Sequence, residues 1–241
     1  MEKPKIVILC GGEGTRLREE TEFKPKPMVT IGGMPILWHI MKIYSHYGFD
    51  DFVLCLGYKG EIIEQFFHNN PAINSKWNMT FVNTGLKAQT GTRVKRVEKY
   101  VNGDTFMLTY GDGLSNVNIK ELFEFHLKKE KIGTLTGVQP HTRWGIVKAD
   151  ENGIITDFLE KPKIQDHING GFYCFKKEFF DYLSEDEDCI METKPLQILA
   201  KERQFAMFKH DGFWHGMDTY KDYLDLNKIW DDGNVPWKVW K

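Results

Sequence analysis

The chain has 241 residues, 41% of them hydrophobic and 27% charged, enough apolar material for a sizeable core, which excludes disorder as its organising state. Lys plus Arg is 32 and Asp plus Glu is 34, a formal charge of −2, so no general basic excess exists to hold a nucleic-acid backbone, and only a local cationic pocket for a phosphorylated small molecule stays open. No apolar run approaches the roughly 18 residues that span a bilayer, and residues 6–10 are too short for a signal-peptide core, so a cytoplasmic protein off the membrane is expected.

Residues 5–10 read as a buried strand, an unbroken apolar run ending in glycines. Residues 11–27 read as a long loop rich in Gly, Lys and Pro. Residues 35–47 read as a helix: Ile36, Leu37, Ile40, Met41, Ile43 and Tyr44 fit the 3.6 period, and Pro35 suits a first turn. A strand is expected at 52–56, a helix at 61–67, a strand at 79–82 and helical spacing at 92–101, where Val94, Val97 and Val101 share one side. A strand at 105–110 and a helix at 119–129 follow. This alternation is the signature of βαβ units and a parallel sheet.

The second half changes texture, with strands expected at 133–138, 145–148, 154–159 and 171–175 and helices at 177–183, 195–201 and 220–230. The expected architecture is one α/β domain, residues 1–241, with a mixed, mainly parallel sheet and helices on both faces. The aromatic tail with Trp237 and Trp240 is expected to pack on the body or on another subunit. Cys10, Cys55, Cys174 and Cys189 form no C-x-x-C pair, three lie within apolar runs, and they read as buried free thiols. His39, inside an apolar helix, reads as packed, and the acidic run 185–188 as a solvated loop.

The strongest local signal is Gly11-Gly12-Glu13-Gly14-Thr15-Arg16-Leu17, directly after the first strand. Glycines at a strand's carboxyl end let backbone N–H groups approach phosphates, and ligands of open α/β sheets sit there. The dinucleotide fingerprint fails at Leu17, and the chain has no Gly-Lys dipeptide for a P-loop. Phe23-Lys24-Pro25-Lys26-Pro27-Met28 follows. Arg16 and Lys26 on one loop could surround a polyphosphate, Arg as a fork and Lys as a point charge. Gly111-Asp112-Gly113 ends a strand and reads either as a tight turn or as a carboxylate placed for Mg²⁺. Asp218, just before the last helix, reads alone as its N-cap.

The pair of segments G-G-x-G-T-R-L and K-P-K-P-M resembles the signature of sugar-1-phosphate nucleotidyltransferases. The resemblance runs from Lys5 to Trp240 and is strongest toward the cytidylyltransferases that use glucose 1-phosphate, through Gly57-Tyr58-Lys59-Gly60, Gly212-Phe213-Trp214 and the tail. Those carry a longer insertion where this chain has only residues 68–78.

The resemblance implies a Rossmann-like nucleotidyltransferase fold whose first half binds nucleotide and second half sugar. It implies that CTP and a sugar 1-phosphate give a nucleotide sugar and pyrophosphate, with Mg²⁺ as cofactor and a homo-oligomer as assembly. Arg16 and Lys26 would bind and activate the triphosphate. Gly11, Gly12, Gly14, Thr15, Thr84, Thr90, Gly91 and Asp112 would complete the nucleotide site. Asp112 and Asp218 would hold the metal. Lys161 would meet the sugar's phosphate, Glu160 a sugar hydroxyl, and Gly145, Asn169 and Gly170 the sugar.

Overall fold

The computed structural model describes residues 3–73 and 75–240, without the side chains of Arg18 and Glu19; Asn74, within the short 68–78 segment, lies outside the described residues. Strand β1 (Lys5–Leu9) enters the interior at once, with Ile6, Val7 and Ile8 fully buried. The loop after it holds a short helix α1 (Arg18–Thr21) and 3-10 turns at Thr15–Leu17 and Lys26–Met28. A small ribbon of β2 (Thr30–Ile31) and β3 (Met34–Pro35) leads into α2 (Ile36–His46), with Pro35 as N-cap. Then come β4 (Asp51–Leu56), α3 (Gly60–Asn69), β5 (Asn78–Asn83), α4 (Thr90–Arg96), β6 (Thr105–Tyr110), β7 (Gly113–Ser115) and α5 (Ile119–Lys129). The second half contributes β8 (Gly133–Val138), β9 (Ile146–Ala149), β10 (Ile155–Leu159), β11 (Ile168–Lys176), α6 (Lys194–Lys201), β12 (Phe205–His210), β13 (Trp214–Gly216) and α7 (Tyr220–Asp231).

Seven strands form one sheet in the order β12-β8-β11-β6-β1-β4-β5. Only β11 runs against its neighbours, β6 and β8; the other pairs are parallel. The sheet is therefore mixed and mainly parallel, as the alternating elements imply. Side chains alternate across β1, and each face has its own core. Ile6, Ile8 and Cys10 pack with α2 and with Trp237 of the tail. Val7 and Leu9 pack with Val94, Phe106 and Phe179 on the other face. The tail thus packs on the body: Trp237 is fully buried beside His39 and Trp230. Cys10, Cys55 and Cys174 are buried, Cys189 is partly so, and all four are free thiols.

Strand direction places the site. β1, β4, β5, β6, β8 and β12 all end at one edge of the sheet, and the reversed β11 begins there. After β5 the chain crosses back over β1 to lay down β6 on its far side. Such a reversal opens a crevice at the carboxyl ends of the strands. Among the described residues no helix is long and apolar enough to cross a membrane.

The structure differs locally from the sequence reading at three places. The expected helix at 177–183 is a 3-10 run, Lys177–Tyr182. The spacing at 92–101 resolves into α4 and a separate 3-10 turn, Glu98–Tyr100. The N-cap of α7 is Thr219, not Asp218: its side chain accepts from the Asp222 N–H, and Asp222 answers with its carboxylate.

Candidate functional site

Two aspartates distant in sequence meet because two three-residue strands pair. β7 and β13 run antiparallel with Gly113 opposite Gly216, and the Met217 N–H donates to the Asp112 carbonyl at 2.9 Å. The Lys26 ammonium lies between the two side chains. It donates to Asp112 Oδ2 at 2.6 Å and to Asp218 Oδ1 at 3.0 Å. Arg16 Nη2 reaches the same Asp218 oxygen at 3.2 Å. Burial works against the charge on Lys26, but the two carboxylates outweigh it and hold its pKa above the usual lysine value. Burial likewise opposes ionised Asp218, and Lys26, Arg16 and Arg143 overcome it, so its pKa lies below the usual range. Lys26 is only 12% exposed and Arg16 is 74% exposed, so one cation is fixed in the wall and the other pairs with Asp218 from the solvent side.

These groups line one side of a cavity of about 700 Å³ at the sheet edge. Gly11, Gly12, Gly14 and Thr15 also line it, as does Thr90 at the start of α4. Gly14 has φ +65, and a Cβ there would come within 3.0 Å of the Lys26 stem, so this glycine lets the loop turn tightly against the lysine. Thr84 and Gly91 do not line the cavity. Thr84 is buried, its hydroxyl donating to the Leu56 carbonyl and accepting from Arg93. Gly91 is buried and donates its N–H to the Cys189 carbonyl. Both shape the site from behind.

Arg93 is the residue the sequence reading missed. Its guanidinium is 4% exposed at the cavity floor and donates to the carbonyls of Gly11, Leu56, Gly85 and Leu86 and to the Thr84 hydroxyl. It ties the glycine loop to the loop after β5. A Cβ on Gly11 would lie 2.1 Å from its Nη1, which is why that position must be glycine. A signal existed: Arg93 stands four residues before Val97, on the side of the helix that the valines bury. Glu192 was missed as well. It accepts from Thr90 at 2.5 Å and from the Tyr110 hydroxyl. Tyr110 meets Tyr173, and Tyr173 meets Asn169, so hydrogen bonds run from Thr90 to Asn169.

The sugar-side residues are gathered less closely. A second cavity of about 690 Å³ adjoins Asp218 and is lined by Arg143, Lys161, Trp214, His215 and Asp222 among others. Lys161 is the one member of the expected sugar set that lines it; its ammonium lies 3.3 Å from Glu160 Oε1. Gly145 and Glu160 lie opposite each other on the β9–β10 hairpin, where a Cβ on Gly145 would be 3.2 Å from Glu160 Oε2. Asn169 sits at the start of β11 with its Oδ1 accepting from the Gly171 N–H at 2.9 Å. The Gly170 carbonyl accepts from Trp214 Nε1 at 2.7 Å, which connects this strand to the second cavity.

The chemistry open to this arrangement is narrow. Two carboxylates converge on one cation position, and among the described residues no third His, Cys, Asp or Glu completes a metal cluster. That donor set does not make a closed zinc site. It fits Mg²⁺, which takes one or two carboxylates and fills its octahedron with waters and phosphate oxygens. Arg16, Lys26 and the glycine N–H groups suit a polyphosphate.

The chain is similar to known proteins over nearly its whole length. Over 98% of this chain and 100% of the relative, it is 43% identical to glucose-1-phosphate cytidylyltransferase of Salmonella typhimurium. It is 42% identical, with the same coverage, to "Probable glucose-1-phosphate cytidylyltransferase" of Bacillus subtilis. The crystal structure of HddC from Yersinia pseudotuberculosis superposes with a TM-score of 0.73 at 27% identity, covering 95% of this chain and 100% of that one. Residues 5–232, a span that holds the glycine loop, both aspartates and every strand of the sheet, match the model of the nucleotidyl transferase family, and the chain belongs to that family.

Proposed function

We propose that this chain transfers the cytidylyl group of CTP to glucose 1-phosphate, giving CDP-glucose and pyrophosphate. One observation carries the reaction: Arg16 and Lys26 converge with Asp112 and Asp218 on the edge of a glycine-lined cavity. The choice of CTP and glucose 1-phosphate rests on full-length identity of 42% and 43% to proteins bearing that name. The first half of the chain serves the nucleotide and the second half the sugar.

An oxygen of the sugar phosphate attacks the α-phosphorus of CTP. The bond from that phosphorus to the bridging oxygen breaks, and pyrophosphate leaves with the electron pair. The attacking phosphate is already anionic, so no general base is required. Lys26 and Arg16 hold the triphosphate and offset charge that grows in the transition state. Lys161 holds the acceptor phosphate, with Glu160, Asn169 and the backbone at Gly145 and Gly170 on the sugar. Asp112 and Asp218 would hold Mg²⁺, which supplies neutralisation of the phosphate charge. Rate then derives from placing two polyanions in line, more than from covalent work. The β9–β10 hairpin exposes Val147, Ile155 and Phe158, apolar surface that supports assembly with further copies of the chain.

The test is pyrophosphate release with Mg²⁺ and each of CTP, UTP, dTTP, GTP and ATP against a panel of sugar 1-phosphates. Release with CTP and glucose 1-phosphate is expected. Release only with another pair keeps the transfer and replaces its substrates. A folded protein inactive with every pair overturns the reading.

A further inference from the structure

One carboxylate oxygen in the lining of the second cavity is bonded to the main chain of Asp218, the aspartate that lines both cavities. Asp222 Oδ2, in the first turn of α7, accepts from the Asp218 N–H at 3.0 Å and from the Thr219 N–H and hydroxyl at 2.8 Å each. Arg143 Nη2 lies 3.4 Å from the same oxygen. The Thr219 contacts are what a helix cap needs. The bond to Asp218 and the pairing with Arg143 go beyond it. Asp218 precedes the helix, so no helical hydrogen bond fixes its main chain; the bond to Asp222 does. Arg143 comes from the loop between β8 and β9, 79 residues away, and lines the second cavity. Asp222 is itself only 9% exposed, and water competes little for its bonds.

We propose that Asp222 is a positioning residue of the transfer reaction: one oxygen fixes the turn that presents Asp218 to the metal and holds Arg143 over the second cavity as a cation for the acceptor phosphate. The proposal rests on the cytidylyl-transfer reading above. Its physical basis is that a ligand on a turn is only as well placed as its main chain, and a displacement of about 1 Å at a reacting centre can cost about a hundredfold in rate. The pairing engages Nη2 of Arg143, and the rest of the planar fork suits a phosphate.

Three variants separate this from a plain helix cap. Thr219→Ala removes the capping hydroxyl and keeps both backbone bonds to Asp222. Asp222→Asn keeps an acceptor for the N–H groups but loses the charge that holds Arg143. Asp222→Ala loses both. The readouts are Mn²⁺ affinity by electron paramagnetic resonance, with a non-hydrolysable CTP analogue bound, and the KM for glucose 1-phosphate. Asp222→Ala is expected to weaken Mn²⁺ binding about tenfold or more and to raise the acceptor KM by a similar factor. Asp222→Asn is expected to raise the acceptor KM alone. Thr219→Ala is expected to lower Tm and leave both readouts within about twofold. An unchanged acceptor KM in Asp222→Asn, or a Thr219→Ala that shifts Mn²⁺ affinity as Asp222→Ala does, overturns the proposal. Should Asp222→Ala not fold, the other two variants decide. Absence of turnover in the wild-type protein would sink the function reading instead, and Mn²⁺ binding would still decide whether Asp222 holds Asp218.

Discussion

The Lys26 ammonium lies 2.6 Å from Asp112 Oδ2, across 86 residues of chain, in a wall where only 12% of the lysine side chain meets water. A lysine so held is pre-placed for a triphosphate and loses little entropy when one arrives. Lys26→Ala is expected to cost about 3 kcal/mol or more in transition-state stabilisation, a hundredfold or greater fall in kcat/KM. Initial-rate kinetics check it. A fall below about tenfold would remove Lys26 from contact with the transition state.

The same ammonium holds the oxygens that a divalent cation would take. Asp112 and Asp218 are already balanced by Lys26 and Arg16, so a metal arriving without nucleotide meets little net negative charge. On the proposed function, a bound triphosphate would give both cations phosphate oxygens to pair with and release the carboxylates. Mn²⁺ is therefore expected to bind the nucleotide-free protein weakly and the protein with a CTP analogue far more tightly. Lys26→Met is expected to raise affinity in the nucleotide-free state by about tenfold. Titration followed by electron paramagnetic resonance checks both; equal affinities in wild type and variant would mean that Lys26 does not compete.

What was legible in the sequence is what short-range pattern encodes. Residues 105–110 and 133–138 form the expected strands because each is a nearly unbroken buried run of strand length, and 119–129 forms the expected helix because burial cycles through Ile119, Leu122 and His126. The glycine loop, Lys26 and Asp112 were legible because uncommon residue types stand together. The paired strands β7 and β13 were not: three residues carry no period, and each exists only because the other does. β12 is an edge strand with mixed burial, held in register by β8. Arg93 escaped because four of its five acceptors are backbone carbonyls, which any residue supplies.

Arg93 leads to a sharper expectation. Four carbonyls and a hydroxyl lose a donor if its guanidinium is removed; the Gly11 and Leu56 carbonyls keep the N–H groups of Tyr58 and Thr84, and the Gly85 and Leu86 carbonyls lose theirs. Each buried acceptor left without a partner costs about 1–3 kcal/mol, with incomplete additivity. Arg93→Met is expected to lower stability by about 3 kcal/mol or more and to raise the KM for CTP, as Gly11 and the loop after β5 separate. Arg93→Lys recovers part, since an ammonium cannot span the same fork. Urea unfolding with an unchanged m-value, beside CTP kinetics, checks this; a variant of wild-type stability would show that water replaces the donors at no cost.

His39 sets an acid limit on the fold. It is fully buried, Nε2 bonded to the Ile31 carbonyl at 2.8 Å and Nδ1 facing Trp237 Nε1 at 3.5 Å. Burial lowers its pKa from 6.5 to about 4, more than the bond to Ile31 restores. Between those values the unfolded chain binds the proton and the folded chain does not. Stability therefore falls as pH drops from 6.5 toward 4, by up to about 3 kcal/mol from this group, and falls no further from it below that. His126 has its pKa lowered to about 4, by burial first and by Lys176 second, and acts in the same direction. His39→Gln keeps a donor for the Ile31 carbonyl and cannot become charged. It is expected to lower stability at about pH 7, through imperfect packing, and to lose less than the wild type on acidification. Urea unfolding at about pH 7 and pH 4.5 measures the difference. Equal losses in both proteins would place the acid sensitivity in other groups.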